Sequence, residues 1–513
     1  MKSKVVIAYW WNIFGNVALK SLGIISTLIL VRLLSPSDFG MIAIAMMVIG
    51  LFDVLSEMGV NRYLILAQKP SDDLYNSAWT LNICLRALSL AVVLILSPML
   101  ANFLHNPNLT TLINIFAGIS FLKVFHNIGM LQFEKDIEFG PKNKLNITAK
   151  LFSFFATIGA AFYFQNYYAL AIGTTVNMLS SVVFSYVICP YRPKFNFRFE
   201  RDMFTFSTTM LTRNIIGYSR SQLDILFTGR LFGDAGVGSF KVAREFSLMP
   251  LTQIVTPGIA PMFSLVASVK HDDEILYAKI YQTIFIGLLI LLPAAVGMTL
   301  VANEFTLLVL GEKWLGVSAF IGLLAFLNLT FFSQQVVFML YDAKNKPMIA
   351  AINDVIGIIL LVGAVMLFPM TDLVEFAEIR VIIGVISLTL IFVCARILIA
   401  LSLKKICIIF SLILIPTLSM YFAMEIARDS LYQASLIPRF CLLTIIGILI
   451  YGLTLWLTLN IILRTTSSYF VYNLIPYSVY QYRFFGYCLL PKLKVNNAHQ
   501  GWMNEKPQKK NKS

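Results

Sequence analysis

Charge is scarce in this chain of 513 residues: Asp, Glu, Lys and Arg make up 13% of it, and 58% of the residues are hydrophobic. Because soluble domains carry about 25% charged residues, the composition excludes a soluble globular protein. Cysteine and histidine are also rare, with six and four residues, and the chain has no C-x-x-C pair and no G-x-x-x-x-G-K-S/T motif. We therefore predict buried thiols, no P-loop ATP hydrolysis and no cofactor.

One cluster with metal-ligand residue types, H-D-D-E at residues 271–274, precedes an apolar run. Acids in that position are typical of a helix start, so we predict no metal site there.

Apolar runs long enough to cross a bilayer occupy most of the chain, whose mean hydropathy is +0.78. A membrane helix needs about 20 such residues, and the runs predict about fourteen crossings. The predicted fold class is an all-α membrane protein.

Lysine and arginine are concentrated at the N-terminus, in alternate loops and in the C-terminal segment. Since cytoplasmic loops are enriched in these residues, we predict that both termini are cytoplasmic.

Two short stretches of the chain nearly repeat each other. Residues 32–40 read R-L-L-S-P-S-D-F-G and residues 230–238 read R-L-F-G-D-A-G-V-G. This similarity predicts a duplication into two parallel six-helix lobes, with both copies of the turn on the outer face. The predicted parts are an N-terminal lobe at 1–190, a cytoplasmic linker at 191–203, a C-terminal lobe at 204–402, two additional helices at 403–463, and a basic, aromatic cytoplasmic tail at 464–513.

Further stretches follow in a fixed order. They are I-L-V-R-L-L-S-P-S-D-F-G-M-I-A, D-I-L-F-T-G-R-L-F-G from residue 224, G-S-F-K-V-A-R-E-F-S-L-M-P ending at residue 250, and L-G-E-K-W at residues 310–314. As a set they resemble the oligosaccharide flippases of bacterial polysaccharide biosynthesis, within the multidrug, oligosaccharidyl-lipid and polysaccharide exporter superfamily. The resemblance implies a two-lobed helical bundle in the bacterial inner membrane. It also implies translocation of polyprenyl-pyrophosphate-linked oligosaccharide repeat units to the periplasmic leaflet by alternating access.

The resemblance also implies partners. The cargo would serve synthesis of lipopolysaccharide, capsule or exopolysaccharide, and the expected partners are the lipid-linked oligosaccharide, membrane lipids, and the polysaccharide polymerase and assembly machinery. Short outer loops argue against a membrane glycosyltransferase or polymerase, so we predict no enzyme activity, and we predict no nucleic-acid binding. A drug or cation exporter of the same superfamily stays open as an alternative, although such a protein would favour an acidic core.

Charged residues inside the predicted spans argue independently for an anionic cargo. A lone charge at mid-membrane costs about 2.5–3.5 kcal/mol, so each needs a partner, a wet cavity or a ligand. Basic residues outnumber acidic ones at this depth, which suits a pyrophosphate, and arginine can bind phosphate oxygens in a bidentate fork. The predicted cationic cavity consists of Lys20, Arg86, Arg213, Arg220, Lys241 and Arg244. Lys150, nearer the cytoplasmic end of its span, is predicted to snorkel towards the membrane surface.

Acidic residues inside the spans are predicted to serve charge pairing or coupling. Asp53 would neutralise Lys20, and Asp224 would pair with Arg220, four residues away on the same helical face. Glu245 is the third member of this set.

Prolines interrupt the eighth predicted span. Because proline removes a backbone hydrogen bond and bends helices, interrupted spans line the pathway in many transporters. We therefore predict a kink or gate at Pro250, Pro257 and Pro261.

Overall fold

The structure is a computed structural model that describes residues 2–57, 64–65, 71–136, 138–198, 201–258, 262, 265–266 and 269–465. Within these ranges the regular structure is helical and contains no strand, which confirms the predicted all-α fold class. The main helices are α1 (Lys2–Leu33), α2 (Pro36–Glu57), α3 (Asp72–Phe103), α4 (Asn108–Leu122), α5 (Phe139–Phe164), α6 (Tyr168–Ile188), α7 (Arg201–Ser247), α8 (Asp273–Leu300), α9 (Ser318–Ala325), α10 (Leu327–Ala343), α11 (Pro347–Leu367), α12 (Leu373–Ile399), α13 (Leu403–Ser430) and α14 (Leu436–Thr465).

Short helical segments connect several of these helices. They are the 3₁₀-helices Lys123–Phe125 and Glu312–Val317, the π-helices Pro250–Val255 and Thr306–Leu310, and the α-helices Met130–Lys135 and Ala302–Phe305.

The described residues include eleven helical segments that are long and apolar enough to cross a membrane, as expected of an integral membrane protein. Two further helices are long but lie outside that set: α1 with 32 residues and α7 with 47 residues. α7 covers the seventh predicted span and the first part of the eighth. The predicted count of about fourteen crossings is compatible with these helices and stays a prediction, as does the cytoplasmic placement of the termini.

α7 changes direction at Gly233, inside the second repeat. This residue has φ 66° and ψ −169°, a backbone conformation that L side chains rarely adopt. Glycine at this position therefore allows the chain to turn between the two predicted spans. The helix is interrupted at this one residue only.

The helices pack in two groups. α1 packs on α5, α5 on α6 and α3 on α4, whereas α8 packs on α9, α10 and α13, and α10 packs on α12. α2 packs along α7 and connects the two groups. In lipid such packing depends on close van der Waals contact rather than on a hydrophobic driving force. The division into two lobes stays a prediction.

The two repeated stretches lie against each other, and we call the end of the bundle formed by residues 32–40 and 230–238 the repeat end. A Cβ atom added to Gly40 would lie 1.7 Å from the Asp234 carbonyl oxygen, and one added to Gly238 would lie 1.7 Å from the Pro36 carbonyl oxygen. In each case the last residue of one copy contacts the fifth residue of the other. The contact is therefore reciprocal, and only glycine can occupy either position.

The L-G-E-K-W motif covers the end of α1. Trp314 Nε1 donates a hydrogen bond to the Val31 carbonyl (2.8 Å), and its ring meets Phe39 edge-on with the centroids 5.5 Å apart. Arg32 donates in turn to the Leu308 carbonyl. Because the last carbonyls of a helix have no partner within the helix, Trp314 satisfies one of them while it packs against the repeat end.

Candidate functional site

A cavity of about 780 Å³ lies between α1, α2, α5, α6, α7 and the following π-helix. Its volume falls within the range of about 300–1,000 Å³ that is usual for small-molecule sites. The helices that line it come from both predicted lobes, so the cavity has the position expected for a transport pathway between them.

The charged side chains of the cavity are mostly basic. Among the described residues that line it, four are basic and one is acidic: Lys20, Lys150, Lys241, Arg244 and Glu245. Hydroxyl and amide groups lie between these charges, and they belong to Ser26, Thr27, Tyr218, Ser221, Gln222, Thr252 and Gln253. The lining therefore offers positive charge together with many neutral hydrogen-bonding groups.

Helical spacing explains why these residues share one cavity. Lys241, Arg244 and Glu245 occupy positions i, i+3 and i+4 of α7, so they lie on one face of that helix. Before the turn at Gly233, Tyr218, which donates to the Met47 carbonyl on α2 (2.8 Å), faces the same cavity. The turn therefore folds two polar faces of α7 towards each other.

A buried carboxylate holds Arg244 in place. Asp224, whose side chain is 1% exposed, accepts a hydrogen bond from Arg380 Nε (2.7 Å) and lies 3.2 Å from Arg244 Nη1. Both guanidinium groups also lie over the ring of Phe331, at 5.7 Å for Arg380 and 5.9 Å for Arg244. Asp224 thus anchors a cavity arginine from the protein interior.

The predicted pair of Arg220 with Asp224 is wrong. Arg220 instead bonds Asp354 on α11 and donates to Gln334 Oε1 on α10 (2.7 Å). Arg380, which comes from the distant helix α12, takes the Asp224 carboxylate that the helical spacing suggested for Arg220. Arg220 therefore lines a separate cavity of about 20 Å³ among α7, α10, α11 and α12 rather than the large one.

The predicted neutralisation of Lys20 by Asp53 is also wrong. Asp53 accepts hydrogen bonds from Arg86 Nη1 and Ser120 Oγ, both at 2.6 Å, and lies 3.7 Å from Lys123 Nζ. Arg86 is 8% exposed and lies outside the large cavity. Arg86 therefore belongs to a buried cluster of α2, α3 and α4, in which Asp53 compensates its charge.

Of the residues predicted for the cationic cavity, the structure brings together Lys20, Lys241 and Arg244. Arg213 lies in α7, but its side chain is outside the part of the chain that the structure describes. Lys150, which was predicted to snorkel, lines the cavity instead. No sequence signal indicates this position, because it depends on the packing of α5 against distant parts of the chain such as α1.

The predicted prolines fall at an irregular segment. Pro250 begins the π-helix Pro250–Val255, and Pro257 lies two residues beyond its end in an exposed position. Pro261 lies outside the described residues.

No group of three or more His, Cys, Asp or Glu residues that could hold a metal ion occurs in the described part of the chain.

Comparison with known proteins extends these observations. The family model described as "Polysaccharide biosynthesis protein" matches residues 29–319. Lipopolysaccharide biosynthesis protein WzxC of Escherichia coli strain K12 is 25% identical over 337 residues, which cover 64% of this chain and 68% of WzxC. Succinoglycan biosynthesis transport protein ExoT of Rhizobium meliloti strain 1021 is 21% identical over 317 residues, 61% of this chain and 64% of ExoT.

A solved structure shares the fold. Lipid II flippase MurJ in an inward closed conformation superposes with a TM-score of 0.69 at 14% sequence identity, covering 87% of this chain and 97% of MurJ. At this level of identity the likeness shows the fold alone. The family match, which covers more than half of the chain, confirms the resemblance seen in the sequence motifs. The chain therefore belongs to the polysaccharide biosynthesis protein family of membrane proteins.

Proposed function

We propose that this protein translocates a polyprenyl-pyrophosphate-linked oligosaccharide from the cytoplasmic to the periplasmic leaflet for polysaccharide synthesis. The observation that carries the proposal is the cavity of about 780 Å³ with four basic residues and one acidic residue in its lining. The names of WzxC, ExoT and the lipid II flippase MurJ agree with a cargo of this class.

The chemistry of the cavity suits a pyrophosphate joined to a sugar. Arg244 can place two parallel N–H groups on phosphate oxygens, whereas Lys20, Lys150 and Lys241 act as mobile point charges. Hydroxyl and amide groups such as those of Ser221 and Gln222 can form hydrogen bonds with sugar hydroxyls in more than one arrangement. Such a lining selects the head group by charge and tolerates different sugars.

The movement that we propose is alternating access of the two predicted lobes. The reciprocal contact of Gly40 and Gly238 holds them together at the repeat end, so the cavity opens on that side only when these glycines separate. The lipid tail stays in the bilayer during this movement. The polysaccharide polymerase and assembly machinery would receive the cargo afterwards.

Binding of an isoprenyl pyrophosphate tests the site directly. Lys241→Met combined with Arg244→Met should weaken binding of geranylgeranyl pyrophosphate to the purified protein in nanodiscs by about tenfold to a hundredfold, because hydrogen bonds to charged groups contribute about 1.5–3 kcal/mol. Isothermal titration calorimetry measures the affinity.

The matched control for charge is Lys404→Met, since Lys404 is exposed and lies outside the cavity. This variant should bind as the wild type does. Equal affinity of the double variant and the control would refute the site. Preferential binding of tetraphenylphosphonium, a lipophilic cation, would instead favour the cation exporter that the sequence left open.

A further inference from the structure

The Thr252 carbonyl lies at a point where the helix offers it no donor. In the π-helix Pro250–Val255, the expected donor is the N–H five residues further on. That residue is Pro257, which has no N–H. The N–H of Thr256, four residues further on, bonds the Leu251 carbonyl instead. The combination of a π-helix and this proline therefore leaves the Thr252 carbonyl to an outside partner.

Lys20 supplies that partner from another helix. Its Nζ donates a hydrogen bond to the Thr252 carbonyl at 3.0 Å, from α1 to the π-helix. Both residues line the large cavity, and the Lys20 side chain is exposed there. A single hydrogen bond inside the cavity thus joins a helix of the predicted N-terminal lobe to a segment of the predicted C-terminal lobe.

We propose that Lys20 exchanges partners when cargo binds: it holds the Thr252 carbonyl in the empty cavity and turns to the phosphate oxygens in the loaded one. The inference rests on the function proposed above. A phosphate oxygen is ionised and accepts a stronger hydrogen bond than a neutral carbonyl. The long, flexible stem of lysine allows such a change without movement of α1.

The exchange has a consequence for the two lobes. When Lys20 leaves, the Thr252 carbonyl loses its donor and the link between α1 and the π-helix is broken. Binding of the head group therefore releases one of the contacts that hold the two sides of the cavity together. Pro257 is a positioning residue in this scheme, because the N–H it lacks would otherwise keep the carbonyl bonded within its own helix.

Restoring the missing N–H tests the exchange. In Pro257→Ala, the new N–H can bond the Thr252 carbonyl, and Lys20 no longer has to give up a hydrogen bond in order to bind phosphate. Affinity for geranylgeranyl pyrophosphate should rise by about twofold to tenfold, the range expected for a hydrogen bond with a net contribution of about 0.5–1.5 kcal/mol. Pro257→Ser supplies the same N–H and should behave alike if the alanine variant does not fold.

Two further variants separate this effect from helix straightening. Pro98→Ala removes an exposed proline inside α3, away from the cavity, and should leave the affinity unchanged. Lys20→Met should lower the affinity by about tenfold, and the addition of Pro257→Ala to Lys20→Met should then have no effect, since the two residues act through one hydrogen bond.

The outcomes separate the two proposals. Unchanged affinity in Pro257→Ala and Pro257→Ser, or a gain that persists in the Lys20→Met background, would overturn the exchange while the pyrophosphate site stands. Failure of the wild-type protein to bind the probe would overturn the site and the exchange together. A gain in Pro257→Ala that disappears in Lys20→Met is the result that we expect.

Discussion

At the scale of single residues, packing between helices separates the cations that line the cavity from those that lie elsewhere in the bundle. Arg86 and Arg220 lie inside the bundle and pair with Asp53 and Asp354, whereas Lys241 faces the cavity. Sequence spacing could not supply this distinction, because the partners come from other helices. Asp354 follows Arg220 by 134 positions, well beyond the reach of any helical pattern.

Asp224 provides a test of this view, since its carboxylate is shared by Arg244 and Arg380. Asp224→Asn would leave the buried Arg380 and the cavity residue Arg244 without this counter-charge. Loss of one partner of a buried ion pair destabilises a protein by about 3–5 kcal/mol, so we expect the thermal unfolding midpoint of the purified protein to fall by several degrees.

The control for this substitution is Asp273→Asn, because Asp273 is 67% exposed in its pair with Lys344. Exposed ion pairs contribute about 0–1 kcal/mol, so the unfolding midpoint should change little. A second substitution, Arg380→Met, added to Asp224→Asn, should recover part of the loss by removing one uncompensated charge. Equal midpoints for Asp224→Asn and Asp273→Asn would contradict the structural role assigned to Asp224.

At the scale of helices, the repeated motif acts as a contact surface. The sequence predicted that residues 32–40 and 230–238 lie at one face of the membrane as two equivalent turns, but it carried no sign that they touch. The structure shows Gly40 and Gly238 each packed on a backbone carbonyl of the other copy. Gly40 meets Asp234 in the same way as Gly238 meets Pro36, which is the reciprocal pattern of a two-fold contact between identical subunits.

Gly40→Ala tests this contact. The added methyl group would overlap the Asp234 carbonyl and force α2 and α7 apart, with a cost of about 1–3 kcal/mol for overpacking. We expect a lower thermal unfolding midpoint, and the same for Gly238→Ala. Gly159→Ala is the matched control, since a Cβ atom there meets nothing within 4 Å. A midpoint for Gly40→Ala as high as that of the control would show that the two copies are not in close contact.

The L-G-E-K-W motif is a second sequence motif whose role is explained by a contact between helices. The motif contributed to the family resemblance, and its tryptophan bonds the end of α1 and packs on Phe39 of the repeat end. Its role in the structure is therefore to join helices, and its residues need not touch the cargo.

At the scale of the whole molecule, hydropathy and motif order were enough to predict the fold class and the family. The place of Lys20, Lys241 and Arg244 in the cavity lining could also be predicted. A charged side chain in an apolar helix is costly unless a partner, a wet cavity or a ligand compensates it. Lys150 and the partners of Asp224 could not be predicted, since they depend on which helix faces which. Long-range packing, rather than local spacing, decides which charges line the cavity.

The central claim is that the protein moves a lipid-linked oligosaccharide across the membrane. The most direct measurement is the fraction of labelled lipid-linked repeat units that a membrane-impermeant lectin can reach in spheroplasts of cells in which the protein can be depleted. Depletion should leave the units inaccessible, and wild type, but not the Lys241→Met and Arg244→Met double variant, should restore access. An accessible fraction that is the same with and without the protein would contradict the claim.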